Sequence, residues 1–341
     1  MTTTRKALPS KKSVLGKAPA LVAAAGAAAA LALFNARRAS GAERQHPPIG
    51  RRLLIDGIHV HVAEWGQGSP VVLIHGNGTM VHDWAVSGLA ERLARDHRVI
   101  AIDRPGYGYT ERPRDRAWTP EAQAALIATT LRRIGVERAV IVGHSWGALT
   151  ALALGLDHPE MAQGLVLLSG YYVPTVRPDA WAASGPAIPG LGDVLRYTIA
   201  PPLSAMIAPK LIAKVFAPRP VPARFAKGFP LALALRPFQL RGSAADSALM
   251  VPAAARLRDR YADLSVPTAI LAGDGDGVVD PWRHAIALHQ AIEGSTLQIL
   301  PGLGHMIHYD AQDEIAEAVA MLQPNETPRA HVAGTRSRLA L

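Results

Sequence analysis

The stretch Ala139-Val140-Ile141-Val142-Gly143-His144-Ser145-Trp146-Gly147-Ala148-Leu149 joins an aliphatic run to a helix-forming one through a turn with a glycine two residues either side of a serine. The aliphatic run reads as a buried strand and Ala148 to Leu156 as a helix, so the turn is a strand-to-helix elbow. Such an elbow holds its serine in a strained conformation that lifts the hydroxyl above the sheet, and side chains at 143 or 147 would clash. A serine in an ordinary glycine-bounded loop would explain the glycines but not their place between strand and helix. Ser145 is therefore the candidate nucleophile.

A serine hydroxyl is a weak nucleophile until a base takes its proton, and that base needs a carboxylate to hold its tautomer. Among thirteen histidines His305 is best placed: it follows the run Leu297 to Leu300 and the turn Pro301-Gly302-Leu303-Gly304, which presents it at the carboxyl edge of a sheet, where sites of such sheets lie. His308 is the runner-up, read as polar lining or surface. His75, His82 and His144 flank the elbow and the first loop as packing and hydrogen-bonding residues. For the acid, Gly273-Asp274-Gly275-Asp276-Gly277 leaves the strand Thr268 to Leu271, and Asp276 is the choice. Asp274 and Asp280 remain alternatives, although an acid at a helix start such as Asp280 has a complete explanation as a cap. A tetrahedral intermediate also needs two fixed donors. The backbone N–H of Trp146 is one, and that of Asn77, in His75-Gly76-Asn77-Gly78 after the strand Val71 to Ile74, is the other, with the Asn77 amide as a possible substrate contact. Asn in a turn because it tolerates left-handed geometry is the plainer account of that residue. Asp103 and Arg104 open the loop Asp103 to Gly108 on the same edge, where ion pairs and hydrogen bonds to neighbouring loops, or substrate contact, are expected.

Outward from the elbow, apolar runs alternate with helical stretches, which predicts a mostly parallel sheet covered by helices. Strands are expected near 52–56, 58–64, 70–75, 98–102, 138–143, 164–169, 267–272 and 296–300, enough for one eight-stranded sheet. Helices are expected at 81–95, 120–134, 147–158, 281–292 and 311–322. Residues 173–258 break the rhythm, with 13 of the 27 prolines and short helical pieces such as Leu203 to Phe216. They read as an inserted helical cap over a pocket, whose Leu, Ala, Pro and Phe, with Met206 and Met250, suggest an apolar substrate portion. The core is then 47–172 plus 259–324.

The formal charge of +9 belongs to the ends: residues 1–46 carry eight Lys/Arg against Glu43, residues 325–341 three Arg against Glu326, and 47–324 sums to zero. No overall positive field covers the body, which argues against a nucleic-acid partner. With no cysteine, disulfides, thiolate zinc sites and a cysteine nucleophile are excluded. Ala18 to Phe34 is uncharged between Lys17 and Arg37 and reads as a membrane anchor, although its roughly 26 Å as a helix is just short of a bilayer core. The alternative is a signal peptide cleaved near Ser40 and Ala42, which would leave an exported soluble protein. Residues 325–341 read as a solvated tail. The cap holds eleven Lys/Arg against three Asp, and 259–324 two Arg against ten acids. This imbalance suggests either cap-to-core docking or a basic cap against anionic lipid.

Together, His75-Gly76, the Asp103 to Gly108 loop, the Ser145 elbow, Asp276 and Gly304-His305 resemble the α/β-hydrolase fold family over about 48–324. The His-Gly-Asn loop and the Trp after the nucleophile are similar to haloalkane dehalogenases and epoxide hydrolases. Those use an aspartate nucleophile, and Ser145 offers no such route. The resemblance is closer to serine members: esterases, carbon-carbon bond hydrolases and cofactor-free haloperoxidases. It implies a serine hydrolase of a small, partly apolar acyl compound, needing neither metal nor organic cofactor. The alternatives are a carbon-carbon bond hydrolase or perhydrolase with the same triad, and a noncatalytic membrane-tethered binding module.

Overall fold

A computed structural model describes residues 18–323; the basic residues before Ala18 and the 325–341 segment lie outside them. Eight strands form one sheet: β1 (Arg51–Ile55), β2 (Ile58–Trp65), β3 (Ser69–Ile74), β4 (His97–Ile102), β5 (Ala139–His144), β6 (Ala162–Leu168), β7 (Thr268–Gly273) and β8 (Thr296–Leu300). Their order is β1-β2-β4-β3-β5-β6-β7-β8. Only the pairings of β2, with β1 and with β4, are antiparallel. Every expected strand is present within about two residues.

The two-residue period of the strands divides the core. Val72, Ile74, Ile141 and Leu167 face α4 (Pro120–Arg133), α5 (Trp146–Asp157) and α12 (Pro281–Ala291), while Val71, Leu73, Val142 and Leu168 face the other helices. Those are α2 (Val81–Ser87), α3 (Leu89–Leu93) and α13 (Gln312–Met321). The single helix expected over 81–95 is two, because Gly88 takes φ 80° and turns the chain between them. Thr119 starts α4 by accepting from the Ala122 N–H at 3.3 Å.

Between β6 and β7 stand six helices outside the sheet: α6 (Pro178–Ala183), α7 (Leu191–Tyr197), α8 (Ala200–Phe216), α9 (Ala223–Gly228), α10 (Leu231–Ala234) and α11 (Pro237–Arg258). Arg177 and Arg219 reach the 259–324 segment only at the carbonyls of Val278 and Gly302, and among the described ion pairs Arg177 meets Asp179, Arg196 meets Asp193, Arg236 meets Glu43 and Arg256 meets Glu121. Arg258 pairs only with its neighbour Asp259. Most partners are near in sequence, where closing the pair orders the least chain.

The N-terminal segment is one helix, α1 (Ala18–Gln45), running well past the expected Phe34 limit. Over Pro19–Gln45 it is long and apolar enough to cross a membrane. Its second half is built into the molecule. Ala42 is buried with Met80, Leu233 and Ala234, Glu43 pairs with buried Arg236 at 2.7 Å, and the Asn35 amide donates to the carbonyls of Tyr197 and Thr198 at 2.9 and 2.8 Å.

Candidate active site

The parallel strands β5, β7 and β8 end on one edge, and the loops leaving them carry the three residues in question. Ser145 stands between β5 and α5 at φ 54°, ψ −118°, a left-handed value that costs a non-glycine residue of order 1 to 3 kcal/mol. The flanking glycines are required by close approach: a Cβ on Gly147 would lie 2.1 Å from the Ile74 carbonyl oxygen, and one on Gly143 2.6 Å from that of Gly147. Ser145 N–H donates to Leu168 O at 2.8 Å, tying the elbow to β6. The residue remains partly exposed.

His305 Nε2 is 2.9 Å from Ser145 Oγ, and His305 Nδ1 is 2.7 Å from Asp276 Oδ2. Histidine and acid are buried. The other Asp276 oxygen accepts from the N–H groups of Val278 and Val279 at 2.8 and 2.9 Å, which fixes the carboxylate. The competing acids are placed elsewhere. Exposed Asp274 accepts from Gly302 N–H at 2.7 Å, and Asp280 caps α12 through Trp282 N–H at 3.0 Å. His308 is turned away from Ser145, 3.0 Å from Asp83 Oδ2, and His82, on α2, has no hydrogen bond to the three residues among those described.

His144 carries the backbone of this loop. Its Nε2 donates to the His305 carbonyl at 3.0 Å, which requires the proton on Nε2. Burial, then the neighbouring His308 and His305 rings, hold its pKa well below the usual value, so it stays neutral. On the other side His305 N–H donates to Val215 O, at the end of α8, at 3.0 Å.

The loop after β3 brings Asn77 beside the elbow region, and Trp146 N–H, at the first position of α5, has no intrahelical acceptor. The Asn77 amide is not free for substrate as expected. Its nitrogen donates to Ser243 O and Ser247 Oγ, and its oxygen accepts from Tyr107 and Ser243 hydroxyls. His75 Nδ1 donates to Gly76 O, and its Nε2 accepts from Arg104 N–H at 2.9 Å. Burial first, then Arg104, lower its pKa to about 4. Asp103 joins His61 Nδ1 at 2.6 Å to the N–H groups of Val81 and Tyr109.

Arg104 is fully buried and bonds protein through every guanidinium nitrogen: His75 O, Gly76 O, Gln123 Oε1 and Asp246 Oδ2. Asp246, on α11, also takes Arg112 at 2.9 Å and the Tyr107 hydroxyl at 2.9 Å. This acid was not singled out from the sequence; being the only acid in α11 was its one signal. Asp83, bonded to His308 and to the Tyr309 hydroxyl at 2.7 Å, was missed because partners 225 residues away leave no local pattern. Met206, expected toward substrate, is 71% exposed on the outer face of α8. A cavity of about 320 Å³ between Arg112–Trp118, Pro186–Pro189 and α11 is lined by none of the three residues above.

The profile of the alpha/beta hydrolase fold matches residues 69–312. The chain is 30% identical over 269 residues to 2-hydroxy-6-oxo-2,4-heptadienoate hydrolase of Pseudomonas putida, covering 77% of this chain and 91% of that one. Two solved structures share the fold. A membrane phospholipase A superposes with TM-score 0.61 at 22% identity, over 92% of this chain and 98% of its own. An esterase from Thermogutta terrifontis superposes with TM-score 0.64 at 23% identity, over 80% and 97%.

Proposed function

The chain belongs to the alpha/beta hydrolase fold family, and on that premise we propose that it is a serine hydrolase that cleaves an ester or related acyl compound. The observation that carries this reading is the unbroken line Ser145 Oγ, His305, Asp276, with links of 2.9 and 2.7 Å. Ser145 Oγ attacks the carbonyl carbon as His305 Nε2 takes its proton. Asp276 holds the Nδ1 proton and stabilises the imidazolium that forms. The N–H groups of Trp146 and Asn77 receive the oxyanion, and each such donor is worth about 2.7 to 4 kcal/mol. The tetrahedral intermediate collapses as His305 protonates the leaving oxygen. Water, deprotonated by His305, then attacks the acyl-Ser145 ester and releases the acid.

His75, Gly76, Asp103, Arg104 and His144 support this site rather than react. The segment 18–34 anchors the enzyme in a membrane. Retention rather than cleavage fits the burial of Ala42 and the Glu43–Arg236 pair, which a cut after Ala42 would unseat.

A carbon-carbon bond hydrolase with the same triad is the second reading, favoured by the 30% identical Pseudomonas relative. A dienoate carries a carboxylate, and Arg104, the guanidinium behind the His75–Asn77 loop, is fully buried with four of its five N–H donors bonded to protein. This weighs toward the acyl ester. The test is labelling by a fluorophosphonate, expected on wild type and lost in Ser145→Ala, followed by turnover of p-nitrophenyl esters against 2-hydroxy-6-oxo-2,4-heptadienoate. Preferential cleavage of the dienoate would replace the ester reading, and a folded chain that neither labels nor turns over would favour a noncatalytic binding module.

A further inference from the structure

The outer face of the cap is apolar where a water-soluble domain would be charged. On α7, Leu191 and Val194 are each 58% exposed, with Tyr197 beside them. After a 66° bend, α8 exposes Leu203, Met206, Ile207 and Leu211. Three of its seventeen residues are buried: Pro201, Ala208 and Phe216. Lys210 and Lys214 lie on the same helix with no ion pair among the described residues. Patches of this kind mark contact with protein or membrane.

The position of the patch decides between these occupants. Asn35, just past the apolar half of α1, bonds the carbonyls of Tyr197 and Thr198 at the α7–α8 junction. Asn35 and Arg38 also share a small cleft with Pro201 in the first turn of α8. The helix able to cross a membrane therefore leaves the protein where the cap's apolar face begins, and its own Leu33 and Phe34 are exposed there. A bilayer that holds residues 18–34 ends at the level of α7 and α8. From that junction α8 runs about 25 Å at 1.5 Å per residue to Phe216, and the carbonyl of Val215 in its last turn accepts from His305 N–H.

We propose that α7 and α8 lie in the bilayer interface beside the anchor, the apolar side chains in the acyl region and Lys210 and Lys214 at headgroup level, so that the enzyme takes its acyl substrate from the membrane. This rests on the serine hydrolase reading and adds the substrate class: esters with a bilayer-partitioned acyl chain. Lys210 and Lys214 share the stripe of Met206, Ile207 and Leu211 at i+3, i+4 and i+7, so their long stems carry the charges from the apolar layer up to the headgroups.

The cysteine-free chain permits a direct test with the full-length protein reconstituted in phosphatidylcholine–phosphatidylglycerol vesicles. Met206→Cys carries an environment-sensitive fluorophore, and nitroxide-labelled phosphatidylcholine is the quencher. Quenching by about half is expected for a group inserted below the headgroups, against none for Met321→Cys, whose side chain is exposed at the end of α13. A Met206 label open to aqueous iodide like that at 321, or one cross-linking between copies instead of being quenched, overturns the proposal. Met206→Glu with Ile207→Glu should lower turnover of a vesicle-borne long-chain p-nitrophenyl ester by about tenfold and leave soluble p-nitrophenyl butyrate unaffected. Equal turnover of the vesicle-borne ester overturns the substrate class. Failure of wild type on both esters defeats the hydrolase reading while leaving the quenching result to judge the surface.

Discussion

At the scale of single residues, the proposed nucleophile Ser145 is also a point of backbone strain, its positive φ held by neighbours that leave no room for any residue but glycine at 143 and 147. Ser145→Ala should reduce kcat by at least about 10⁴-fold, and Asp276→Asn by about 10⁴-fold, since the amide would favour the wrong histidine tautomer. Asp280→Asn should stay within about twofold, because Asn caps a helix nearly as well as Asp. Initial rates on p-nitrophenyl butyrate decide; a severe loss at 280 with none at 276 would reassign the acid. A second prediction concerns pH. Burial holds His75 and His284 neutral down to about pH 4 and also lowers His144 well below its usual value, whereas an unfolded histidine binds a proton near 6.5. Between those values the unfolded state binds more protons, so stability falls as pH falls, by up to about 1.4 kcal/mol per pH unit for each such histidine. The urea midpoint should drop between pH 6.5 and 5, and less steeply in His75→Gln. A midpoint constant over that range would contradict the buried neutral rings.

At the scale of elements, α11 is the piece that locks the cap to the loops around Ser145. Asp246 holds Arg104 and Arg112 in a setting closed to water. Removing one partner strands a buried charge, so Asp246→Leu should cost about 3 to 5 kcal/mol, and Arg104→Met in the same chain should recover much of it. Thermal unfolding of the single and double variants measures this, and an Asp246→Leu chain as stable as wild type would mean that water reaches the pair. The elements themselves were legible wherever one residue's neighbours set its state. The strand runs show it, as does Thr119-Pro120 before α4. The break at Gly88 was not, since a glycine inside a periodic run signals a turn only when packing on both sides demands one.

At the scale of the whole molecule, the chain is a capped hydrolase fold with an apolar helix locked into its side. Full-length protein should sediment with membranes and resist carbonate extraction. Removing residues 1–34 should make it extractable by carbonate, and removing 1–46 should also lower its melting temperature, because Arg236 then loses Glu43 while remaining buried. Equal melting temperatures for the two truncations would show that the docked half of α1 contributes nothing to stability.

The sequence by itself determined the strand and helix rhythm, the elbow, and the candidates Ser145, Asp276 and His305, because each depends on a turn that a few adjacent residues specify. Only the tertiary structure decided that Asp83 and Asp246 are buried partners, that the Asn77 amide is engaged by α11, and that α1 seats against the end of α7. Those choices are made by side chains that meet across more than a hundred residues of chain, where no local periodicity reaches and where desolvation alone selects which charges must find each other.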